Sequence, residues 1–386
     1  MNILFIASWF PDEENKYTGI FVKRHLLAIL KFCNPFVISF HTTKFKNRID
    51  YTEKEGFKHL KLYIKKKYFK KDLFLKRYLV GIYFFIKFIF IAVRIIRKKI
   101  KRVDLIHLNV MFPMGVIALF FSLLYKAPII WVEHSSPFMM QVNNIIKKLL
   151  IRLICKKIKY ILPVSRNLMK EMRNYGIKGK FKLIANIVDT NLFKPVKIFK
   201  RRFKKVISHV SFLDDTVKRV SGIIKAGWIL SYKRKDFKIK IVGDGKDKFK
   251  LENLSKELGV YNKIVFFLGA MSPKKVAKIL QNSDFFVFNS VRENLPVATL
   301  EALSCGLPVI CTKCGEPVYY INKSNGILID VDNNEKQLVS AMDFMLDNYL
   351  KYKKFKLHKF IKEKFSYEPV SKEFLDIYKK VLNERR

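Results

Sequence analysis

The sequence predicts an α/β protein of two domains, each a parallel sheet covered by helices on both faces. Three observations predict it. The chain has 386 residues, more than one ordinary core accommodates. Half of those residues are hydrophobic, which is enough to fill two interiors. Short runs that are apolar throughout alternate with longer helical stretches in both halves, as expected of strands buried on two faces and joined by crossover helices.

Taken in order, "NILFIAS" reads as a first buried strand, because it lacks the basic leader and small-residue cleavage site of a signal peptide. "FVISF", "LIHLNV", "PIIWVEHS" and "YILPVS" continue the strands of the first half. Between them, "KLYIKKKYFKKDLFLKR" interleaves basic and aromatic residues. The run that follows, from Arg77 to Arg94, is interrupted by Lys87 and is short for a membrane span. On a helical wheel Lys76, Lys87, Arg94, Lys98 and Lys101 share one narrow face. That suits a core helix with a solvated stripe, and equally a helix lying among anionic headgroups. The periodicity breaks at "LIANIVDTNLFKPV", where Asn186, Asp189 and Pro195 interrupt it. The expected division is therefore an N-terminal domain over 1–188, a second over 189–364, and a closing segment over 365–386. "KVISHVS", "KIKIVGDG", "KIVFFLG", "FFVFNS" and "LPVICT" are the strands of the second half. Open parallel sheets bind ligands beyond the carboxyl ends of their strands, so two facing sheets predict a ligand in the cleft between them.

Lysine and arginine number 76 against 32 acids, a formal charge of +44. Such a field favours anionic partners: nucleotide phosphates, acidic lipid headgroups or nucleic acid. AT-rich coding supplies the same excess of Lys, Phe, Ile, Asn and Tyr, so charge alone selects no partner. A dedicated nucleic-acid binder is disfavoured. No helix-turn-helix, zinc finger or RRM aromatic motif is present, and the lysines are spread over both halves. The five cysteines (Cys33, Cys155, Cys305, Cys311, Cys314) include one lone CxxC with no second pair and no nearby histidine. They read as small buried residues in a reducing cytoplasm, not as a metal or redox centre.

The stretch "NSVRENLPVATLEALSCGLPV" carries the sharpest chemical signal. It follows a buried strand, and Pro296 suits the first turn of a helix. Glu293 then lies in the loop before that helix and Glu301 more than a turn inside it. The N–H groups around Leu295, Pro296 and Val297 sit at the positive helix end, a ready site for a diphosphate. Carboxylates on either side could bind the vicinal hydroxyls of a sugar and a ribose. By themselves the two acids fit equally well as a helix-start acid and an unrelated acid on an exposed face.

Placed in order along the chain, these motifs resemble the family 4 glycosyltransferases of GT-B fold. The match rests on E-x7-E at Glu293 and Glu301, "SWFPDEENKYTGIFVKRHLLAI", "WVEHSS", "PVSRNLMKEMRNYGI", "IANIVDTNLFKP", "IVGDGKDKFKLENLSKELGVYNKIVFFLGAMSPKKVAKILQNSDFFVFNS" and the terminal "FSYEPVSKEFLDIYKKVL". The resemblance implies two Rossmann-like domains and a last helix that crosses back onto the first. It also implies retaining transfer of a hexose from a UDP- or GDP-sugar to a glycan or lipid-linked acceptor, in capsule or lipopolysaccharide assembly. The donor diphosphate is a co-substrate; no cofactor or metal is implied, and the only DxD, Asp330 and Asp332, reads as a turn. Glu293 would touch the transferred sugar, Glu301 the nucleotide ribose, and Ala270 and Met271 the base. Asn294, Leu295, Pro296 and Val297 would present the diphosphate loop, with Ser211 and Gly243 lining the donor site. Gly19 would abut the donor from the first domain, His134 would face the reacting sugar, and Lys218 would neutralise the leaving diphosphate. The implied location is the cytoplasm, at the inner face of the membrane when the acceptor is lipid-linked.

Two positions depart from the family pattern. Phe212 stands where many members carry an arginine that clamps the diphosphate, so either Arg219 or Arg292 substitutes, or the donor is held differently, or activity is weak. Glu316 stands at a usual glycine. Competing readings are a nucleotide-sugar epimerase on the same fold, and a donor-binding protein whose catalysis has decayed.

Overall fold

The computed structural model describes residues 1–14, 16–65, 74–135, 138, 145–196, 203–332 and 334–384, with the side chains of 74–82 and 334 outside that description. The chain divides into two compact units, Met1–Asn186 with Val370–Arg386, and Ile187–Pro369.

The first unit is built on β1 (Asn2–Ala7), β2 (Asn34–Thr43), β3 (Arg48–Lys54), β4 (Phe57–Lys65), β5 (Leu105–Asn109), β6 (Ile129–Glu133) and β7 (Ile158–Pro163). Their order across the sheet is β3-β4-β2-β1-β5-β6-β7. All neighbours are parallel except β3, which runs antiparallel to β4. The five anticipated strands are present, and Ile3, Leu4, Phe5 and Ile6 of β1 are completely buried. The β3–β4 hairpin was not anticipated. Its turn is Glu55-Gly56, with φ of 55° and 80°, the two left-handed residues of a tight hairpin. Strand β4 takes in Lys61–Lys65, so the start of the basic-aromatic segment is sheet; residues 66–73 lie outside the described residues.

Helix α1 (Ile20–Ile29) connects β1 to β2. Moving the other way across the sheet come α2 (Phe74–Lys99), α3 (Gly115–Tyr125) and α4 (Ile145–Cys155). Right-handed crossovers place these three on the face opposite α1. Of the wheel residues, Lys87, Arg94 and Lys98 are exposed on α2, Lys101 follows its end, and the side chain of Lys76 lies outside the description. The buried side of α2 is Phe88, Ala92 and Ile96, one residue per turn. Helix α5 (Arg166–Asn174) is capped by Ser165, whose Oγ accepts the Leu168 N–H at 3.1 Å.

The second unit holds β8 (Lys205–Val210), β9 (Phe237–Val242), β10 (Val265–Phe267), β11 (Phe285–Phe288), β12 (Val309–Thr312) and β13 (Gly326–Ile329) in the order β10-β9-β8-β11-β12-β13, all parallel. Only β13 had not been anticipated. Its helices are α6 (Asp215–Lys218), α7 (Val220–Lys233), α8 (Lys248–Glu257), α9 (Pro273–Gln281), α10 (Val297–Ser304), α11 (Asn334–Asn348) and α12 (Lys354–Phe365). Ile207, Ile239, Ile241, Val287 and Ile310 from the strands meet Ile223, Leu230, Leu338 and Met342 from the helices in one buried core. The last helix, α13 (Tyr367–Asn383), packs Phe374 and Tyr378 on the first unit, where the Tyr378 hydroxyl lies 2.5 Å from His107 Nδ1. Among the described residues no helix is long and apolar enough to cross a membrane.

Candidate functional site

In the second unit the carboxyl ends of β8, β9 and β10 are stitched side by side. The Ser211 N–H donates to Val242 O at 3.1 Å, and the Gly243 N–H donates to Gly269 O at 2.9 Å. Gly243 has φ 145°, and a Cβ there would lie 1.8 Å from Ser211 O, so no other residue fits. Ser211, Gly243 and, through Gly269, Ala270 and Met271 are thereby brought together at one edge. His209, on β8, fixes the serine. Its Nδ1 lies 2.9 Å from the Val287 carbonyl and must donate, so Nε2 accepts the Ser211 hydroxyl at 2.7 Å. Burial lowers the pKa of this ring to about 4, which keeps it neutral.

On the other side of β8, β11 delivers the Glu293 loop. Lys218, the last residue of α6, donates its ammonium to Glu293 Oε1, and Ser290 Oγ lies 2.8 Å from the same oxygen. The Lys218 and Glu293 side chains are only 19% and 12% exposed, so this ion pair is largely withdrawn from water. Lys218 Nζ also lies 5.2 Å from the Phe288 ring centroid. The loop is anchored at both ends: the Val291 N–H donates to Val217 O at 2.8 Å, and the Glu316 N–H donates to Asn294 O at 2.8 Å. Gly315, at φ 68°, makes the second anchor possible, since a Cβ there would sit 2.2 Å from Glu293 O. Glu316 is buried at the start of a 3₁₀ turn, Glu316–Tyr319, and its backbone buttresses the loop.

Asn294, Leu295 and Pro296 are buried, and Pro296 caps α10 one residue before its first helical residue instead of lying inside the first turn. The first N–H groups of α10 have no carbonyl one turn back to bond. Glu301 is buried, 9% exposed, which rules out the exposed-face reading of this acid. The Arg219 Nη1 donates to the Val331 carbonyl at 2.6 Å and lines a cavity of about 960 Å³ with Asp215, Asn289 and Asp332. Arg292 is exposed in the Glu293 loop, and Phe212 is 64% exposed beside Ser211. Asp330 and Asp332 flank a bend, with Asp330 paired to Lys313 at 2.7 Å. Cys305, Cys311 and Cys314 are buried free thiols, and burial raises the pKa of Cys314 to about 11. Among the described residues no group of His, Cys, Asp and Glu is arranged to hold a metal ion.

The first unit gathers a second set at the carboxyl ends of β1, β5 and β6. Gly19, at φ 72°, caps α1, and a Cβ there would meet the Trp9 and Phe10 backbone at 2.7–2.8 Å. His134 is buried against Phe21 and His25, with ring centroids 4.7 and 5.2 Å away. Its Nδ1 lies 3.2 Å from Asn186 Oδ1, and burial holds its pKa well below the usual value. Sequence reading missed the residue that shapes this loop. Glu133, completely buried, accepts the N–H groups of Met111, His134 and Ser135, the Trp131 indole N–H and the Ser135 hydroxyl, all at 2.7–3.0 Å. Five donors satisfy a carboxylate that would otherwise be costly to bury. The sequence signal available was a glutamate ending an apolar strand. His209 and Ser290 were likewise not singled out.

Residues 193–361 match the family model for glycosyl transferases group 1, and residues 72–192 match that for Glycosyltransferase Family 4. An uncharacterized glycosyltransferase of Haemophilus influenzae is 27% identical over 225 residues, covering 57% of this chain and 60% of that protein. A Campylobacter jejuni protein, N-acetylgalactosamine-N,N'-diacetylbacillosaminyl-diphospho-undecaprenol 4-alpha-N-acetylgalactosaminyltransferase, is 28% identical over 233 residues, covering 58% of this chain and 61% of that one. The chain thus spans about six-tenths of the length of these relatives. Among solved structures, sucrose-phosphate synthase from Thermosynechococcus elongatus shares the fold with a TM-score of 0.76 at 16% identity, covering 100% of both chains. The Anabaena protein HepE, crystallised with UDP, does so with a TM-score of 0.73 at 16% identity, covering 98% of this chain and 100% of that one. The two matched regions abut from residue 72 to residue 361, and with the two parallel-sheet units they place this chain among the family 4 glycosyltransferases of GT-B fold.

Proposed function

We propose that this chain transfers a hexose from a UDP- or GDP-sugar to a glycan or lipid-linked acceptor, with retention at the anomeric carbon and without a metal. The observation that carries the reading is the withdrawn Lys218–Glu293 pair, set in a loop anchored at both ends before a helix start, with buried Glu301 in that helix. The donor diphosphate competes with Glu293 for the Lys218 ammonium. Lys218 and the N–H groups at the start of α10 then stabilise the charge that grows as the anomeric C–O bond breaks. Released from Lys218, Glu293 accepts hydroxyl hydrogens of the sugar, and Glu301 those of the ribose. The acceptor oxygen attacks from the face the diphosphate leaves, its proton passing to a diphosphate oxygen. Within the second unit Ser211, Gly243, Ala270 and Met271 take the base and phosphates; for the first unit the family resemblance gives Gly19 a role toward the donor and His134 one toward the reacting sugar.

The lipid-linked acceptor is supported by the Campylobacter relative, whose name specifies a diphospho-undecaprenol glycan; on this reading the chain works in surface polysaccharide assembly at the cytoplasmic membrane face. A second reading, donor binding with decayed catalysis, is favoured by exposed Phe212 where an arginine clamp is usual. A transfer assay with anomeric analysis of the product separates the two. The active reading predicts a retained anomer, unchanged rate in chelator, and a loss of about a hundred-fold or more in kcat for Lys218→Ala. Donor binding with no product across a broad acceptor panel would favour the second reading, and an inverted anomer would overturn the proposed chemistry.

A further inference from the structure

The crossovers that follow β4, β5 and β6 put helices α2, α3 and α4 on one face of the first sheet, with α3 packed against α4, and their outer surface is not that of an ordinary solvated layer. On α4 the residues one turn apart, Ile145, Leu149 and Leu153, are 68%, 52% and 50% exposed. On α2, Tyr83, Ile86 and Phe90 form a second exposed line, at 59%, 61% and 72%. Leu123 adds a third point, on α3, at 57%. Isolated exposed apolar residues are common, but rows of them on helices of one face mark a surface that is covered in use. The charge that these helices themselves carry is of one sign, although Lys99 at the end of α2 pairs with Glu53 of β3 at 2.6 Å. The sequence of α2 contains seven lysines and arginines and that of α4 three, and none of the three helices contains an aspartate or glutamate. Lys87 and Arg94 are exposed near the α2 row, and Lys148 and Arg152 belong to α4.

We infer that this face is a docking surface for an anionic lipid bilayer, with the apolar rows entering the headgroup boundary and the cations meeting lipid phosphates. Apolar rows on helices whose own charges are all cationic fit a membrane interface, and among the described residues no helix is long and apolar enough to cross one. A protein partner of matching chemistry would need an acidic rim around an apolar groove; a bilayer supplies both without further design. The α4 row begins at Ile145, at the end of the sheet that carries Gly19 and His134, because α4 starts from the carboxyl side of β6. Docking by this face therefore brings that edge of the first unit toward the lipid. This deepens the lipid-linked-acceptor reading and rests on it for its purpose, though the surface stands on its own residues.

Flotation of the full chain with vesicles tests it. Phosphatidylcholine vesicles containing phosphatidylglycerol should carry the protein upward, vesicles of phosphatidylcholine alone should carry much less, and high salt should weaken the association. Leu149→Glu with Leu153→Glu, and separately Ile86→Glu with Phe90→Glu, should each lower vesicle-bound protein about ten-fold or more. Each variant should keep its thermal midpoint and its thermal response to nucleotide sugar. Equal binding to neutral vesicles, or no loss in either pair of variants, would overturn the inference. So would a stable dimer by light scattering that Leu149→Glu dissolves, since the covering partner would then be a second copy. The nucleotide-sugar response is read independently: a chain that responds but does not float refutes only the docking surface, and one that floats without responding refutes only the transferase reading.

Discussion

Glu293 and Glu301 stand eight positions apart in one short stretch, and their surroundings separate them chemically. Glu293 is held by an ammonium and lies near a buried hydroxyl, whereas Glu301 is buried along α10. The spacing of the pair was legible because a strand, a loop and a helix start can be read from apolar runs and one proline. The grip on Glu293 was not, because Lys218 lies 75 positions away and only the fold joins them. Glu133 was hidden differently: four of its donors lie within two residues of it, on Trp131, His134 and Ser135, but the inward turn of the carboxylate that gathers them, with the Met111 N–H from 22 positions away, is set by the fold. The buried histidines give a testable pH dependence. Burial lowers His25 in the first unit and His209 in the second from 6.5 to about 4. Between those values the unfolded chain binds protons that the folded chain refuses. Stability is therefore complete above the unfolded pKa and falls as pH drops toward the folded one, by at most about 3 kcal/mol per histidine. Urea unfolding between about pH 7 and pH 5 should show this fall, and His209→Gln should flatten it in the second unit. A stability that is constant or rises on acidification would contradict the burial of these rings.

At the scale of elements, the apolar strands of both sheets could be read from sequence because burial on two faces leaves a continuous hydrophobic run. The hairpin β3–β4 could not. Strand β3, "RIDYTEK", is half-exposed at the sheet edge and carries charges, and β4 mixes lysines with buried Leu60 and Leu62. Strand β13 is only four residues long. Loop-to-loop packing was also beyond the sequence, and Gly315 is its sharpest case. Gly315→Ala adds a Cβ at 2.2 Å from Glu293 O in a left-handed backbone, so either the Glu293 loop or the 313–318 loop must move. Calorimetry should show a loss of about 1–3 kcal/mol, accompanied by weaker nucleotide-sugar binding. An alanine variant with unchanged stability and binding would show that the two loops are not mutually supported. Gly243→Ala, with its Cβ at 1.8 Å from Ser211 O, should be more damaging still.

For the molecule as a whole, the two parallel sheets and the return of the last helix to the first unit follow from the alternation of strands and helices and from the family resemblance. The charge of +44 was the least informative feature of the sequence, since a total says nothing of where cations collect. The structure gives part of it a place: exposed Lys87 and Arg94 beside the apolar row of α2, and Lys218 within the second unit. The central claim is that the carboxyl edge of the second sheet grips a nucleoside diphosphate sugar between Lys218, the start of α10 and Glu301. Thermal unfolding in the presence of a panel of nucleotides and nucleotide sugars tests it most directly. One base-specific nucleotide sugar should stabilise the chain, by about 2.7 kcal/mol at a hundred times its dissociation constant. Glu301→Ala, folded as the parent, should abolish the response. No stabilisation by any member of the panel, or an undiminished response in Glu301→Ala, would contradict the account.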